Sequence, residues 1–233
     1  MIIAIIPARG GSKRIPQKNI RSFCGKPIIQ YSIEAAIQSD VFDRVIVSTD
    51  SDDIAAIAER CGAEVPFRRP AYLSDEFATT LRVIQHAIAA TTADENPVKF
   101  ACCIYGTAPF VTPTDIKAGF ERIKNLSTPH FVLPVTTFPY CIFRSLRMTQ
   151  SFEGEMFYPK DESTRSQDLP EAWHDAGQFY WAGESTWMQA KGILSAKLIG
   201  IPIPRHRVQD IDTPEDWRRA ELMFELLSKE SDV

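Results

Sequence analysis

The chain lacks any apolar run long enough to cross a bilayer. No charged region precedes the short apolar stretch at its amino terminus, so no signal peptide is expected and the cytoplasm is the expected compartment. Signals for cysteine pairing are missing as well. The five cysteines, at 24, 61, 102, 103 and 141, are odd in number and show no CxxC spacing, which argues against a disulfide framework or a zinc site. Positive charge is not in excess: the net charge of −4 speaks against broad nucleic-acid binding. Two standard phosphate motifs are also absent. The first Gly-rich turn runs Gly10-Gly11-Ser12-Lys13, which is not a P-loop, and Arg14-Ile15-Pro16 stands where a dinucleotide fingerprint needs its third glycine.

What is present is a chain of 233 residues, 44% of them hydrophobic, expected to form one domain over 1–233. Its organising stretch is residues 2–20. Ile2-Ile3-Ala4-Ile5-Ile6, closed by Pro7, has the unbroken apolar character of a strand buried on both faces. A turn follows with Gly10 and Gly11 set among Arg9, Lys13, Arg14, Lys18 and Arg21. Glycines let backbone N–H groups converge on an anion, and the cations neutralise it. A strand leading into a basic, Gly-rich loop suggests a phosphate-bearing ligand at the carboxyl edge of a parallel sheet. A plain basic surface loop is the alternative.

The order Pro7-Ala8-Arg9-Gly10-Gly11-Ser12-Lys13, then Ile15-Pro16 and Lys18-Asn19, resembles the amino-terminal motif of the CMP-sialic acid synthetase family. These cytidylyltransferases activate nine-carbon acidic sugars with CTP. The resemblance implies a nucleotide site built from Ala8, Arg9, Gly10, Gly11, Ser12, Lys18 and Asn19, with Arg9 and Lys18 acting on the triphosphate. The sialic acid form of the loop has glycine at positions 14 and 17. Arg14 and Gln17 stand there in this chain, and an arginine at 14 is similar to the pseudaminic acid branch.

Further along, residues 27–37 read as a helix with one apolar face, and 44–49 as a second buried strand. Asp50-Ser51-Asp52-Asp53 reads mainly as the cap of a helix over 54–60, with a metal role as the lesser alternative. The alternation of strand and helix predicts an α/β fold: a mostly parallel sheet flanked by helices, Rossmann-like. Glu64 to Phe67 is a candidate edge strand. Arg69-Pro70-x-x-Leu73, Asp75 and Thr79-Thr80 match a stretch that lines the family's nucleotide pocket, which adds Arg69 and Thr80 to the site. Both threonines also suit the first turn of a helix running to about 90, and His86 beside its apolar stripe reads as a packed or surface residue rather than a catalyst.

Phe100 to Tyr105 is another buried strand. Sialic acid enzymes carry a Gln-Pro-Thr-Ser-Pro-like run at its end; here Tyr105 and Gly106 replace the first two positions, while Thr107 and Pro109 match. Residues 136–159 hold aromatics in short alternating runs without a helical period, so they read as β-hairpin material. An arm this apolar needs cover, and the resemblance implies that 136–175 is an inserted dimerisation and sugar-site arm; a self-covered β subdomain is the alternative. The resemblance implies sugar contacts from Thr107, Arg165, Gln167 and Tyr180; Tyr105, in place of the family's Gln, and Gln178, whose amide suits an N-acyl group, complete the expected sugar site. A guanidinium at 165 suits the sugar carboxylate, and Asp175-Ala176-Gly177-Gln178-Phe179-Tyr180-Trp181 again looks like the pseudaminic acid branch.

A strand is expected over 198–203 and a final helix after Thr213-Pro214. Asp210 and Asp212 lie two apart in an extended segment and so face one side, where two carboxylates can converge on a hard cation. Helix capping by Asp212 and Thr213 is the competing explanation, though it does not call for Asp210. In the family such a pair binds the magnesium that bridges the nucleotide phosphates. The catalytic set is therefore expected to be Arg9, Lys18, Asp210 and Asp212, with Mg2+ as cofactor and a homodimer as the assembly. The expected reaction couples CTP to pseudaminic acid with release of pyrophosphate. N-acetylneuraminic and legionaminic acid are alternative substrates, and a metal-dependent glycosyltransferase or a non-catalytic nucleotide-binding protein are alternatives of other classes. No general base stands out.

Overall fold

The computed structural model describes residues 1–92 and 96–231. Eleven strands and six helices follow one another along them. The first part comprises β1 (Ile2–Pro7), β2 (Ser22–Phe23), β3 (Lys26–Pro27), α1 (Ile28–Gln38), β4 (Arg44–Ser48), α2 (Asp52–Arg60), α3 (Thr80–Thr91), β5 (Phe100–Ile104) and α4 (Pro113–Ile123). The second comprises β6 (Phe131–Thr137), β7 (Leu146–Met148), β8 (Gly154–Met156), β9 (Trp173–Asp175), β10 (Phe179–Gly183), α5 (Glu184–Gln189), β11 (Leu198–Pro202) and α6 (Pro214–Ser231).

The central sheet has the order β11-β6-β10-β5-β1-β4, with β9 added beside β6. Pairings of β1 with β4, β1 with β5 and β6 with β11 are parallel. However, β10 is antiparallel to both β5 and β6, and β9 is antiparallel to β6. The sheet is thus mixed, a refinement of the mostly parallel sheet expected. The expected edge strand over 64–67 reduces to two isolated bridges, Ile46 with Glu64 and Thr49 with Arg68.

The apolar run of β1 follows from this layering. Ala4 and Ile6 point into a core shared with Ile29 and Ile33 of α1, Ile54 of α2 and Ile116 of α4. Ile3 and Ile5 point the other way, against Leu81, Ile84 and Ile88 of α3 and Trp187 of α5. With both faces covered, polar alternation has no place in the strand.

A third core joins the two ends of the chain. Ile15 of the basic loop and Phe23 pack with Ile211, Trp217 and Ala220, with Phe224 and Leu227 against them. Phe23 meets Trp217 and Phe224 edge-on, each at 5.5 Å between centroids. This apolar face of α6, legible in its periodicity, seats the Asp210–Asp212 segment beside the basic loop.

Within 136–175, β7 and β8 form the expected hairpin, as a two-stranded sheet of their own. Tyr140 and Phe152 are almost fully exposed there, and Leu146, Phe157 and Trp173 are also exposed. Among the described residues no helix is long and apolar enough to cross a membrane.

Candidate active site

The basic loop leaves β1 at Pro7 and is held by its own backbone and by Asp50. Ala8 is buried and donates its N–H to the Ser48 carbonyl at 2.9 Å. Gly10 donates to Asp50 Oδ1 at 2.9 Å, and a Cβ at Gly10 would sit 3.1 Å from Ser51 Cβ, so glycine there answers a close approach. Asn19 is buried and donates Nδ2 to the Arg9 carbonyl at 3.0 Å. Its expected place in the site is therefore partly as a brace for Arg9.

A cavity of about 270 Å³ opens under this loop. It gathers Arg9, Ser12, Lys18, Asn19, Arg69, Thr80, Tyr105, Thr107 and Asp212. Ala8, Gly10 and Gly11 do not line it. Ala8 is spent on the core and the Gly10 N–H on Asp50, so these positions shape the loop.

Most cations around the cavity have partners. Arg9 Nη1 donates to the Asp75 carbonyl at 2.6 Å, Lys13 pairs with Glu76 at 3.0 Å, and Arg14 and Lys18 pair with Asp212 at 2.9 and 3.4 Å. Arg69 differs. Its side chain is 3% exposed and its nearest carboxylate oxygen, on Asp50, is 3.6 Å away. Nε and Nη2 are buried without a hydrogen-bond acceptor. Burial pushes its pKa down, against the opposing pull of Asp50. Buried guanidinium donors are rarely left unpaired, which makes Arg69 a candidate to receive an acceptor from a ligand.

The carboxyl-terminal aspartates divide the labour that the sequence left open. Thr213 and Asp216 cap α6: Asp216 N–H donates to Thr213 Oγ1 at 3.2 Å, and Asp216 Oδ2 accepts from the backbone of Asp212 and Thr213 at 3.1 and 2.8 Å. The Asp210 and Asp212 carboxylates stay free of capping. Burial and then the neighbouring Asp212 charge push Asp210 upward, only partly offset by Lys18. Among the described residues no three His, Cys, Asp or Glu side chains cluster to hold a metal. Two hard oxygen donors beside a phosphate-suited cavity nevertheless fit magnesium, which prefers one or two carboxylates completed by water and substrate phosphates.

Asp212 also borders a second cavity of about 530 Å³, lined by His174, Asp175, Arg205, Asp210 and Arg219. A third, of about 350 Å³, holds Thr80, Tyr105, Asp175, Tyr180, Lys191 and Leu194. Three openings thus share walls at Asp212, at Thr80 with Tyr105, and at Asp175.

Of the expected sugar residues, Tyr105, Thr107 and Tyr180 line these cavities. Gln178 does not. It is 3% exposed, and Nε2 donates to the Arg207 carbonyl at 2.6 Å. That bond turns its amide towards the segment before Asp210. Arg165 and Gln167 do not line these cavities either; both are exposed, at a short 3-10 turn (Ser166–Asp168), and Arg165 pairs locally with Asp168 at 3.4 Å. Thr79 caps α3, accepting from the Arg82 N–H at 3.4 Å, while the Thr80 hydroxyl reaches the Tyr105 hydroxyl at 3.3 Å. His86 packs edge-on against Phe67, as expected of a packed residue. Asp50, within the cluster read as a cap, instead braces Gly10, while Ser51 caps α2. Sequence reasoning missed Asp175 and Lys191. Asp175 carried a signal, the Asp-x-Gly spacing of an Asx turn with Gly177.

Residues 3–194 match the family model described as cytidylyltransferase. The pseudaminic acid cytidylyltransferase of Campylobacter jejuni subsp. jejuni serotype O:2 is 40% identical over 225 residues, covering 96% of each chain. The CMP-N,N'-diacetyllegionaminic acid synthase of Legionella pneumophila is 31% identical, covering 97% of each. Among solved structures, a CMP:2-keto-3-deoxy-manno-octonic acid synthetase complexed with CTP superposes with a TM-score of 0.71 at 13% identity, covering 98% of this chain and 99% of that one, a likeness of fold. The chain belongs to the cytidylyltransferase family.

Proposed function

We propose that this protein couples CTP to pseudaminic acid, giving CMP-pseudaminic acid and pyrophosphate. The observation that carries the nucleotide half is Arg69, a buried guanidinium with unpaired donors on the wall of the 270 Å³ cavity. The sugar is supported by the Campylobacter relatives named for pseudaminic acid, at 40% and 39% identity over nearly the whole chain.

In this reading the anomeric hydroxyl of the sugar attacks the α-phosphate of CTP and pyrophosphate leaves. Little is asked of a protein nucleophile; positioning and charge stabilisation dominate such transfers. Arg9 and Lys18 hold the triphosphate, exchanging Asp75 and Asp212 for phosphate oxygens. Arg69 holds an acceptor on the nucleotide. The sugar occupies the adjoining cavities past Tyr105 and Asp175. Asp210 and Asp212 hold magnesium, which when bound neutralises phosphate charge.

The apolar surface of residues 138–173 supports a homodimer formed through this arm. A partner would then be the source of the Arg165 and Gln167 contacts, since neither residue lines the three cavities described. The enzyme acts in the cytoplasm on small-molecule substrates, without nucleic acid or membrane.

The test is pyrophosphate release with CTP and magnesium, run with pseudaminic, legionaminic and N-acetylneuraminic acids in parallel. Release with pseudaminic acid alone is expected. Release with another sugar keeps the chemistry and changes the substrate; silence with all three from folded protein removes the reading.

A further inference from the structure

Asp175 lies on two of the three cavities but not on the one assigned to CTP. Its carboxylate is fixed from two sides. Oδ1 accepts the Gly177 N–H at 2.8 Å, in a turn where Gly177 takes φ +62°, and Oδ2 accepts the Tyr180 hydroxyl at 2.5 Å. Tyr180 is only 4% exposed, so its proton has little access to water and depends on that oxygen.

Tyr180 in turn supports Tyr105. The rings meet edge to face with centroids 5.6 Å apart and an interplanar angle of 71°. Desolvation, then the neighbouring Tyr105 and Asp175, push the Tyr180 pKa far up, which keeps its hydroxyl a donor. Tyr105 carries the contact onward: its hydroxyl bonds Thr80 Oγ1 at 3.3 Å, and both residues line the nucleotide cavity.

We infer that Asp175 is a positioning residue that couples the sugar-side cavities to the nucleotide cavity, acting through Tyr180 and Tyr105 on Thr80. This rests on the assignment of the 270 Å³ cavity to CTP. Without the acceptor at 175, the Tyr180 hydroxyl has to turn, the edge-to-face contact loosens, and Tyr105 and Thr80 lose their set positions. The effect reaches a ligand that Asp175 does not touch.

The experiment is calorimetric CTP binding in the absence of any sugar, on wild type, Asp175→Ala, Asp175→Asn, Tyr180→Phe and the Asp175→Ala/Tyr180→Phe double variant. Asp175→Ala is expected to weaken CTP roughly three- to tenfold, and Asp175→Asn, whose one amide oxygen can accept from Tyr180 only with its NH2 turned to the Gly177 N–H, to recover part of that loss. Tyr180→Phe breaks the same chain and weakens CTP by a similar factor, and the double variant is no weaker than the worse single one. A generally damaged fold would not show this non-additivity, which is the deciding readout. If Asp175→Ala fails to fold, Tyr180→Phe carries the test alone. CTP binding unchanged in Tyr180→Phe, or additive losses in the double variant, overturns the coupling. Failure of wild type to bind CTP overturns the nucleotide assignment together with it, so the two failures are told apart.

Discussion

The side-chain amide of Gln178 donates to the backbone carbonyl of Arg207 at 2.6 Å. Arg207 is gripped in turn by Asp115, with Nη1 to Oδ2 at 2.5 Å and Nη2 to Oδ1 at 3.2 Å. The first turn of α4, the loop before β10 and the segment leading to Asp210 are thereby tied together.

Arg207→Ala should therefore lower both stability and turnover. The side chains of Arg207 and Asp115 are 22% and 12% exposed, so the loss lies below that of a fully buried pair. A cost of about 2 kcal/mol and a Tm drop of roughly 4–8 °C is expected. Gln178→Met should leave the KM for sugar within about twofold of wild type, because Gln178 braces a backbone segment. A thermal melt and sugar titrations check both; a tenfold rise in sugar KM for Gln178→Met would return that residue to the sugar site.

Arg69→Met should separate binding from stability. Removing the cation takes the ion-pair partner from Asp50, but that carboxylate is partly exposed and keeps the Gly10 N–H, so Tm is expected to fall by no more than about 4 °C. CTP should bind at least about tenfold more weakly, the scale of a lost hydrogen bond to a charged group. Calorimetry beside a melt reads both, and unchanged CTP affinity would count against the nucleotide assignment.

Lys18→Ala removes a cation from the nucleotide cavity and leaves Asp212 paired with Arg14. The KM for CTP should rise about tenfold or more, with little change in the melt. Initial rates across a CTP series decide it, and unchanged KM and kcat would exclude a phosphate role.

Asp210→Ala should abolish magnesium-dependent turnover, by about a hundredfold or more, while circular dichroism stays that of wild type. The α6 cap survives because Thr213 and Asp216 supply it. Chelation should silence wild type to the same degree. Retained turnover in the variant would remove the metal assignment.

Gly119→Ala tests the packing of α4 on β10. A Cβ at Gly119 would lie 2.6 Å from Trp181 Cδ1 and 3.0 Å from Phe179 Cε2. Trp181 is fully buried and tied by Nε1 to the Ile116 carbonyl at 3.1 Å, so it has little room to yield. A loss of about 1–3 kcal/mol is expected, read as a lower Tm or as insoluble protein.

Residue order dictated the local elements and the chemistry carried within one loop. Unbroken apolar runs such as Ile2 to Ile6 can be satisfied only by a strand covered on both faces, and the helical face of Trp217, Ala220, Phe224 and Leu227 was equally legible. The basic loop and the paired aspartates were visible because each is contiguous. Tertiary structure decided what depends on distant partners. The direction of β10 reflects how the chain returns after β9, which its apolar pattern does not encode. Whether Gln178 faces a cavity or the Arg207 carbonyl depended on a loop 29 residues away. The unpaired donors of buried Arg69 and the Asp175–Tyr180–Tyr105–Thr80 series are properties of packed neighbours. Hydrogen bonds and burial are set by which surfaces meet, and residue order alone does not specify those meetings.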